Sequence, residues 1–202
     1  MKKVNIVIGR FQPFTSGHYK CVDAAWKQKG LPTVICIINV PKDKVDQRHP
    51  FPSNMLADLY GDLFSNDNKI AGVIPVKNAN IIDIAEALKS NGFQIASWTC
   101  GSDRINDYSR MSSKYAYPAG LTDDFEMIEV PRSEEDISAT KARNCLLNDD
   151  KDGFLSMIPA GSNEDKLYNT LKKQIDKVYN VSESLERRIV KLERLFRRIR
   201  IK

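Results

Sequence analysis

Up to Val130 the apolar residues fall into short unbroken runs, separated by stretches in which they recur every three or four positions. Val4-Asn5-Ile6-Val7-Ile8 opens the series; Thr33 to Asn39, Ala71 to Val76, Phe93 to Thr99 and Phe125 to Val130 follow. Runs that are apolar on both faces suit parallel strands covered from two sides. Between them, Thr15 or Ser16 can cap a helix through His18, Val22, Ala25 and Trp26 to Lys29, with Gly30 as its stop. Ser53 can cap a second helix through Met55, Leu59 and Leu63, and Ile81 to Ser90 predicts a third with Ile82, Ala85 and Leu88 on one side. This β-α-β-α-β alternation predicts an open, doubly wound parallel α/β sheet. Such sheets bind ligands outside the carboxyl ends of their strands, near a switch point in strand order. Gly9, the loop after Asn39, and Gly101-Ser102-Asp103 all fall at such ends.

Beyond Arg143 the pattern is helical: Asp152 to Ile158, Glu164 to Tyr179, and Ser182 to Ile201. Leu171, Ile175, Val178, Leu185, Ile189, Leu192, Phe196 and Ile199 alternate steps of three and four, with Ser182 in one slot. That narrow seam predicts a coiled coil or a partner groove, and Asn180-x-x-Glu183 reads as a capping box opening a separate last helix. The expected division is a domain over 1–160 and a helical C-terminal extension over 161–202.

The 202 residues, 42% apolar and 28% charged, suffice for one domain with a sizeable core. No apolar run is long enough to span a bilayer, and a strand starts within about four residues of Met1, so neither a membrane anchor nor a signal peptide is expected. Cys21, Cys36, Cys100 and Cys145 lack zinc-ligand or C-x-x-C spacing, which fits core thiols in a reduced, cytoplasmic protein. The net charge of +5 is local: eight of the 31 cations and three of the 26 acids lie in 183–202, leaving 23 of each in the body. Charge therefore gives no reason to expect nucleic acid on the body, whereas residues 182–202, with Arg187, Arg188, Arg194, Arg197 and Arg198 flanking the seam, suit an oligomer contact or an acidic protein partner.

Two segments carry candidate chemistry. Gly9-Arg10-Phe11-Gln12-Pro13-Phe14-Thr15-Ser16-Gly17-His18 joins the first strand to a helix, and Ile137-Ser138-Ala139-Thr140-Lys141-Ala142-Arg143 opens a late helix. Each brings small or hydroxyl residues and a cation to a helix start, where unpaired N–H groups and the helix dipole favour phosphate. A polyphosphate held from two sides is the ligand this arrangement predicts.

The first segment resembles the signature of nucleotidyltransferases related to nicotinamide-mononucleotide adenylyltransferase and the cytidylyltransferases. The second is similar to their I-S-x-T-x-x-R element through Ile137, Ser138, Thr140 and Arg143. Arg48-His49-Pro50-Phe51-Pro52 resembles the basic-x-Pro-Phe loop of the archaeal-type enzymes, and Leu146 to Pro159 their helix–acidic turn–helix closure. The Gly101-Ser102-Asp103-Arg104 pattern is similar to compact bacteriophage members. The resemblance spans about residues 1–160 and implies a Rossmann-like fold. It further implies transfer of AMP from magnesium–ATP to a small phosphorylated acceptor, with nicotinamide mononucleotide the best match, giving NAD and pyrophosphate.

On that resemblance His18, Arg10, Lys141 and Arg143 are the catalytic donors. Gly9, Phe11, Thr15, Gly17, Gly101, Asp103, Ile137, Ser138 and Thr140 bind nucleotide, and Arg48, Trp98, Arg104 and Arg132 face the acceptor. No residues are assigned to a fixed metal cage, because magnesium would arrive on the triphosphate. Two departures stand out. Thr15 replaces the first histidine of H-x-G-H, so the charge-bearing role falls to His18. The helix over Ile81 to Leu88 lacks the aromatic residue that stacks on nicotinamide in the archaeal-type enzymes, leaving Trp98 either as its substitute or as a core side chain of the strand. A cytidylyltransferase using CTP, and a binding or structural protein docked through its tail, are the alternatives.

Overall fold

In the computed structural model, which describes residues 1–40, 44–131 and 138–180, the five apolar runs form one parallel sheet. The strands are β1 (Lys2–Gly9), β2 (Thr33–Ile38), β3 (Ile70–Val76), β4 (Phe93–Gly101) and β5 (Glu126–Val130), in the order β3-β2-β1-β4-β5. The chain winds outward from β1 to β3, then returns to pair β4 on the other side of β1. The switch point is therefore between β1 and β4, and their carboxyl ends carry Gly9-Arg10 and Gly101 through Arg104.

Helices α1 (Ser16–Lys29), α2 (Ser53–Leu63), α5 (Ala139–Leu147), α6 (Lys151–Met157) and α7 (164–180) cover the face bearing Val7, Ile35 and Ile37. Helices α3 (Ile81–Ser90) and α4 (Ile105–Tyr115) cover the face bearing Val4, Ile6, Ile8, Val34 and Trp98. A buried Val, Leu or Ile contributes about 1.5–3 kcal/mol, so β1, buried from Val4 to Ile8, is the spine of both layers. Asn5 breaks that run without breaking the strand. It is fully buried, donates from Nδ2 to Thr33 Oγ1 at 3.0 Å, and accepts from Ser97 Oγ and Thr99 Oγ1 at 2.9 Å each. The node ties β1 to both of its neighbours.

Local signals fixed most helix ends. Thr15 is the N-cap of α1 and Gly30, at φ 62°, its left-handed C-cap. At α2 the expectation fails: Pro52 is the N-cap, and Ser53, already helical, donates its hydroxyl to Asn39 Oδ1 at 2.7 Å, tying the helix to the end of β2. Helix α4, absent from the sequence reading, has no side-chain cap and its buried edge is mostly half-exposed aromatic, which weakens the apolar signal.

The core does not divide at residue 160. Leu167, Tyr168, Leu171 and Ile175 of α7 are buried in the same cluster as Phe51, Leu56 and Phe154, so the start of the expected seam, Leu171 and Ile175, packs on the body. Val178 is half-buried and Asn180 exposed at the end of the described helix, whereas the seam from Ser182 onward, Glu183 of the expected box and the basic stretch over 182–202 lie outside the described residues, as do Arg132 and Ile137. Among the described residues no helix is long and apolar enough to cross a membrane. Cys21, Cys36, Cys100 and Cys145 are free thiols, the first three buried.

Candidate active site

A cleft of about 770 Å³ opens at the switch point. Its floor is the β1–α1 turn. A side chain on Gly9 would put its Cβ 2.7 Å from Phe11 Cε1, so the glycine is required because the Phe11 ring lies over it. Phe11 itself sits at φ 47°, in the left-handed region that a bulky residue rarely enters. Packing holds it there: its ring is 5.0 Å from Phe14 and 5.1 Å, edge-on, from His18. Phe14 in turn meets Tyr60 and Phe64, and its N–H donates to the Tyr60 hydroxyl at 2.7 Å. Burial pushes the Tyr60 phenol well above its ordinary pKa, so it stays a neutral scaffold group.

His18 is the third residue of α1, and its Nδ1 accepts the Thr15 N–H at 3.0 Å, completing a capping box. A backbone N–H can only donate, so Nδ1 is the acceptor and the proton of the neutral ring is on Nε2. The second ring nitrogen is therefore a hydrogen-bond donor for a ligand in the cleft that His18 lines. Thr15 Oγ1 lies 3.0 Å from the same Nδ1. Thr15, in the place of the signature's first histidine, thus serves the orientation of His18.

Opposite, α5 brings Thr140 and Arg143 to the cleft. Arg143 donates from Nη1 to Gln12 O at 2.6 Å and from Nη2 to Thr140 Oγ1 at 3.1 Å. Desolvation lowers its pKa, yet a guanidinium remains charged across the working range. From β4 come Gly101, Asp103 and Arg104, the last two paired at 3.6 Å. Arg48 reaches the cleft from the loop before α2. Gly9, Arg10, Phe11, Thr15, Gly17 and His18 complete the predicted residues that the fold brings together.

Three predicted residues lie elsewhere. Ser138 and Lys141 are exposed at the start of α5, outside the cleft wall; the Ser138 hydroxyl caps the helix by accepting the Lys141 N–H at 3.1 Å. Trp98 is corrected outright: it is fully buried on the α4 side, stacked 4.2 Å from Tyr108, and cannot touch a ligand there. It belongs to the core, as a large aromatic in a central strand facing helices should.

The cleft also contains residues the sequence reading passed over. Lys20 lies one turn along α1 from Gly17, His49 follows Arg48, and Tyr108 on α4 lies against Trp98. A helical template would have found Lys20 three positions after Gly17; Tyr108 required knowledge of α4. Among the described residues the cleft presents five cations, Arg10, Lys20, Arg48, Arg104 and Arg143, against the single carboxylate Asp103. That donor set suits a polyanion. Among the described residues, no group of three or more His, Cys, Asp or Glu side chains could hold a metal ion. Cys100 lines the same wall, but burial, then Asp103 and Glu129, push its pKa up to about 11, so it stands as a thiol at neutral pH.

No protein-family profile and no curated protein matches the sequence. Among solved structures, the chain is similar to a protein from Vibrio parahaemolyticus described as a candidate nicotinate-nucleotide adenylyltransferase. That match has a TM-score of 0.51 and 12% identity, over 87% of this chain and 99% of the other. It is also similar to a Plasmodium falciparum nicotinic acid mononucleotide adenylyltransferase complexed with APC, with a TM-score of 0.46 and 18% identity over 85% and 98% of the two chains. A third similarity is to Thermotoga maritima TmcAL bound with alpha-thio ATP, with a TM-score of 0.49 and 13% identity over 88% and 56%. At 12% identity, what the chain shares with the Vibrio protein is its fold.

Proposed function

We propose that the protein is an adenylyltransferase that joins AMP from ATP to a small phosphorylated acceptor, with nicotinamide mononucleotide the favoured acceptor. The observation that carries this reading is the pairing of a tautomer-fixed His18 donor with a strongly cationic cleft at the β1/β4 switch point. An acceptor phosphate oxygen attacks the α-phosphorus in line; the new P–O bond forms as the bond to the bridging oxygen breaks, and pyrophosphate leaves with that electron pair. No covalent enzyme intermediate is needed, so the protein's work is alignment and charge neutralisation. His18 Nε2–H donates to a phosphate oxygen on which charge grows in the transition state, while Arg10 and Arg143 balance charge already present in the bound triphosphate. Thr140, through its hydroxyl and backbone N–H, receives the distal phosphates. Arg48 and Arg104 face the acceptor phosphate. Magnesium would arrive on the triphosphate and would supply further neutralisation of its charge, and Asp103 is assigned to the nucleotide.

Pyrophosphate release measured over four nucleoside triphosphates crossed with several phosphorylated acceptors tests the reading. Turnover should be greatest with ATP, and nicotinamide mononucleotide should be among the active acceptors. No turnover with ATP beside any acceptor would refute it.

A further inference from the structure

The β1–α1 turn contains a buried polar side chain for which the proposed chemistry has no use. Gln12 is 5% exposed and lies at the foot of the cleft. Its carboxamide meets the backbone of fully buried Phe51 twice: Nε2 donates to Phe51 O at 2.7 Å, and Oε1 accepts the Phe51 N–H at 2.9 Å. Its own backbone carbonyl takes the 2.6 Å bond from Arg143. One residue therefore joins the β1–α1 turn to a loop 39 positions away and to a helix 131 positions away.

The loop end is held from a second side. Gln174 of α7 donates to Pro50 O at 3.0 Å, and Asp46 Oδ1 accepts the N–H groups of Arg48 at 2.9 Å and His49 at 2.7 Å. Arg48 and His49, which face the cleft, thus sit immediately before two pinned residues. A carboxamide can donate and accept at one backbone residue together at any working pH, which an ionised carboxylate cannot. A carboxylate would set a charged oxygen against Phe51 O, and an apolar chain would leave two buried backbone groups without partners.

We propose that Gln12 is a positioning residue that fixes the acceptor-facing loop of Arg48 and His49 relative to the triphosphate-facing His18 and Arg143. This rests on the adenylyltransferase reading for its division of the cleft into two sides. Because Arg143 is bonded to the Gln12 backbone, substitution of the side chain releases the loop and leaves the triphosphate side in place.

Gln12→Met and Gln12→Glu test this, with kinetics of pyrophosphate release, calorimetric binding of a non-hydrolysable ATP analogue, and thermal unfolding. The acceptor KM should rise about tenfold or more in both variants, while the analogue Kd stays within about threefold of native. A protonated glutamate can again accept from Phe51 N–H and donate to Phe51 O. The Gln12→Glu acceptor KM, taken as a ratio to native, should therefore fall as pH is lowered, and the Gln12→Met ratio should not. Gln174→Leu, farther from the cleft, should raise the acceptor KM in the same direction by less. An unchanged acceptor KM, or equal losses for both substrates with no acid rescue, overturns the proposal. If native protein turns over no pair, the functional reading fails instead. Hydrogen exchange then decides the positioning role: it must accelerate at Phe51 and not along α5 in Gln12→Met, and unchanged exchange overturns it.

Discussion

His18 serves two purposes that substitution can separate. Its Nδ1 satisfies the Thr15 N–H at 3.0 Å, and its Nε2–H is assigned to the transferring phosphate. His18→Ala removes both. Losing the reciprocal half of a capping box, which takes the acceptor from the N–H of fully buried Thr15, should cost about 1–3 kcal/mol of stability. Losing a preorganised donor to developing charge should lower kcat by roughly two to three orders of magnitude, about 3–4 kcal/mol, with little change in KM. His18→Glu keeps an acceptor at the third helical position and adds a negative charge where the helix dipole welcomes one. Its stability should equal or exceed native, yet its kcat should fall at least as far as that of His18→Ala, because it offers no donor and repels phosphate. His18→Gln keeps both an acceptor and an N–H donor, and should lie between native and alanine in rate with near-native stability. Urea midpoints and initial rates of pyrophosphate release, measured on the same preparations, give both axes. An active His18→Glu enzyme, or an alanine variant whose rate falls only in step with its stability, would refute the donor assignment.

Three further outcomes follow from the packing. Asn5→Leu leaves the hydroxyls of Thr33, Ser97 and Thr99 without their buried partner and should cost about 3 kcal/mol in chemical denaturation; an unchanged midpoint would show that the node contributes nothing. Gly9→Ala drives a methyl into the Phe11 ring, whose left-handed backbone leaves little room to yield, and should cost about 1–3 kcal/mol together with activity. Burial pushes the Cys36 thiol up to about 12, so the folded state holds a proton that the unfolded chain releases near 8.5. Its contribution is complete below pH 8.5 and lost as pH rises toward 12, at about 1.4 kcal/mol per unit. Plotted between pH 8 and 10.5, the stability of Cys36→Ala should fall less steeply than that of native protein, and parallel slopes would contradict the assignment.

The order of elements was legible in the sequence wherever one residue's neighbours decide its state. Apolar runs too short and continuous for helices specify parallel strands, Thr15 and Gly30 bound α1, and the Gly9–His18 segment and the start of α5 mark turns that border the cleft. Helix α4 escaped because its buried side is a sparse line of Tyr108, Met111 and Tyr115 in a polar stretch, and Ser53 was misread because a serine before an apolar run looks like a cap whichever partner its hydroxyl finds. The tertiary structure decided what depends on pairs remote in sequence. Asn5 could sit inside an apolar strand because Thr33, Ser97 and Thr99 arrive on both flanking strands. Trp98 turned to the face covered by α3 and α4, out of the cleft, because residues alternate sides along a strand and its neighbours Ser97 and Thr99 were taken by Asn5. The same holds for Gln12, whose carboxamide reads as an ordinary turn residue until folding brings Phe51 within 2.9 Å of it. Local periodicity is written in one segment and can be read there, whereas a hydrogen bond across 39 or 131 positions exists only once the sheet has set the distance.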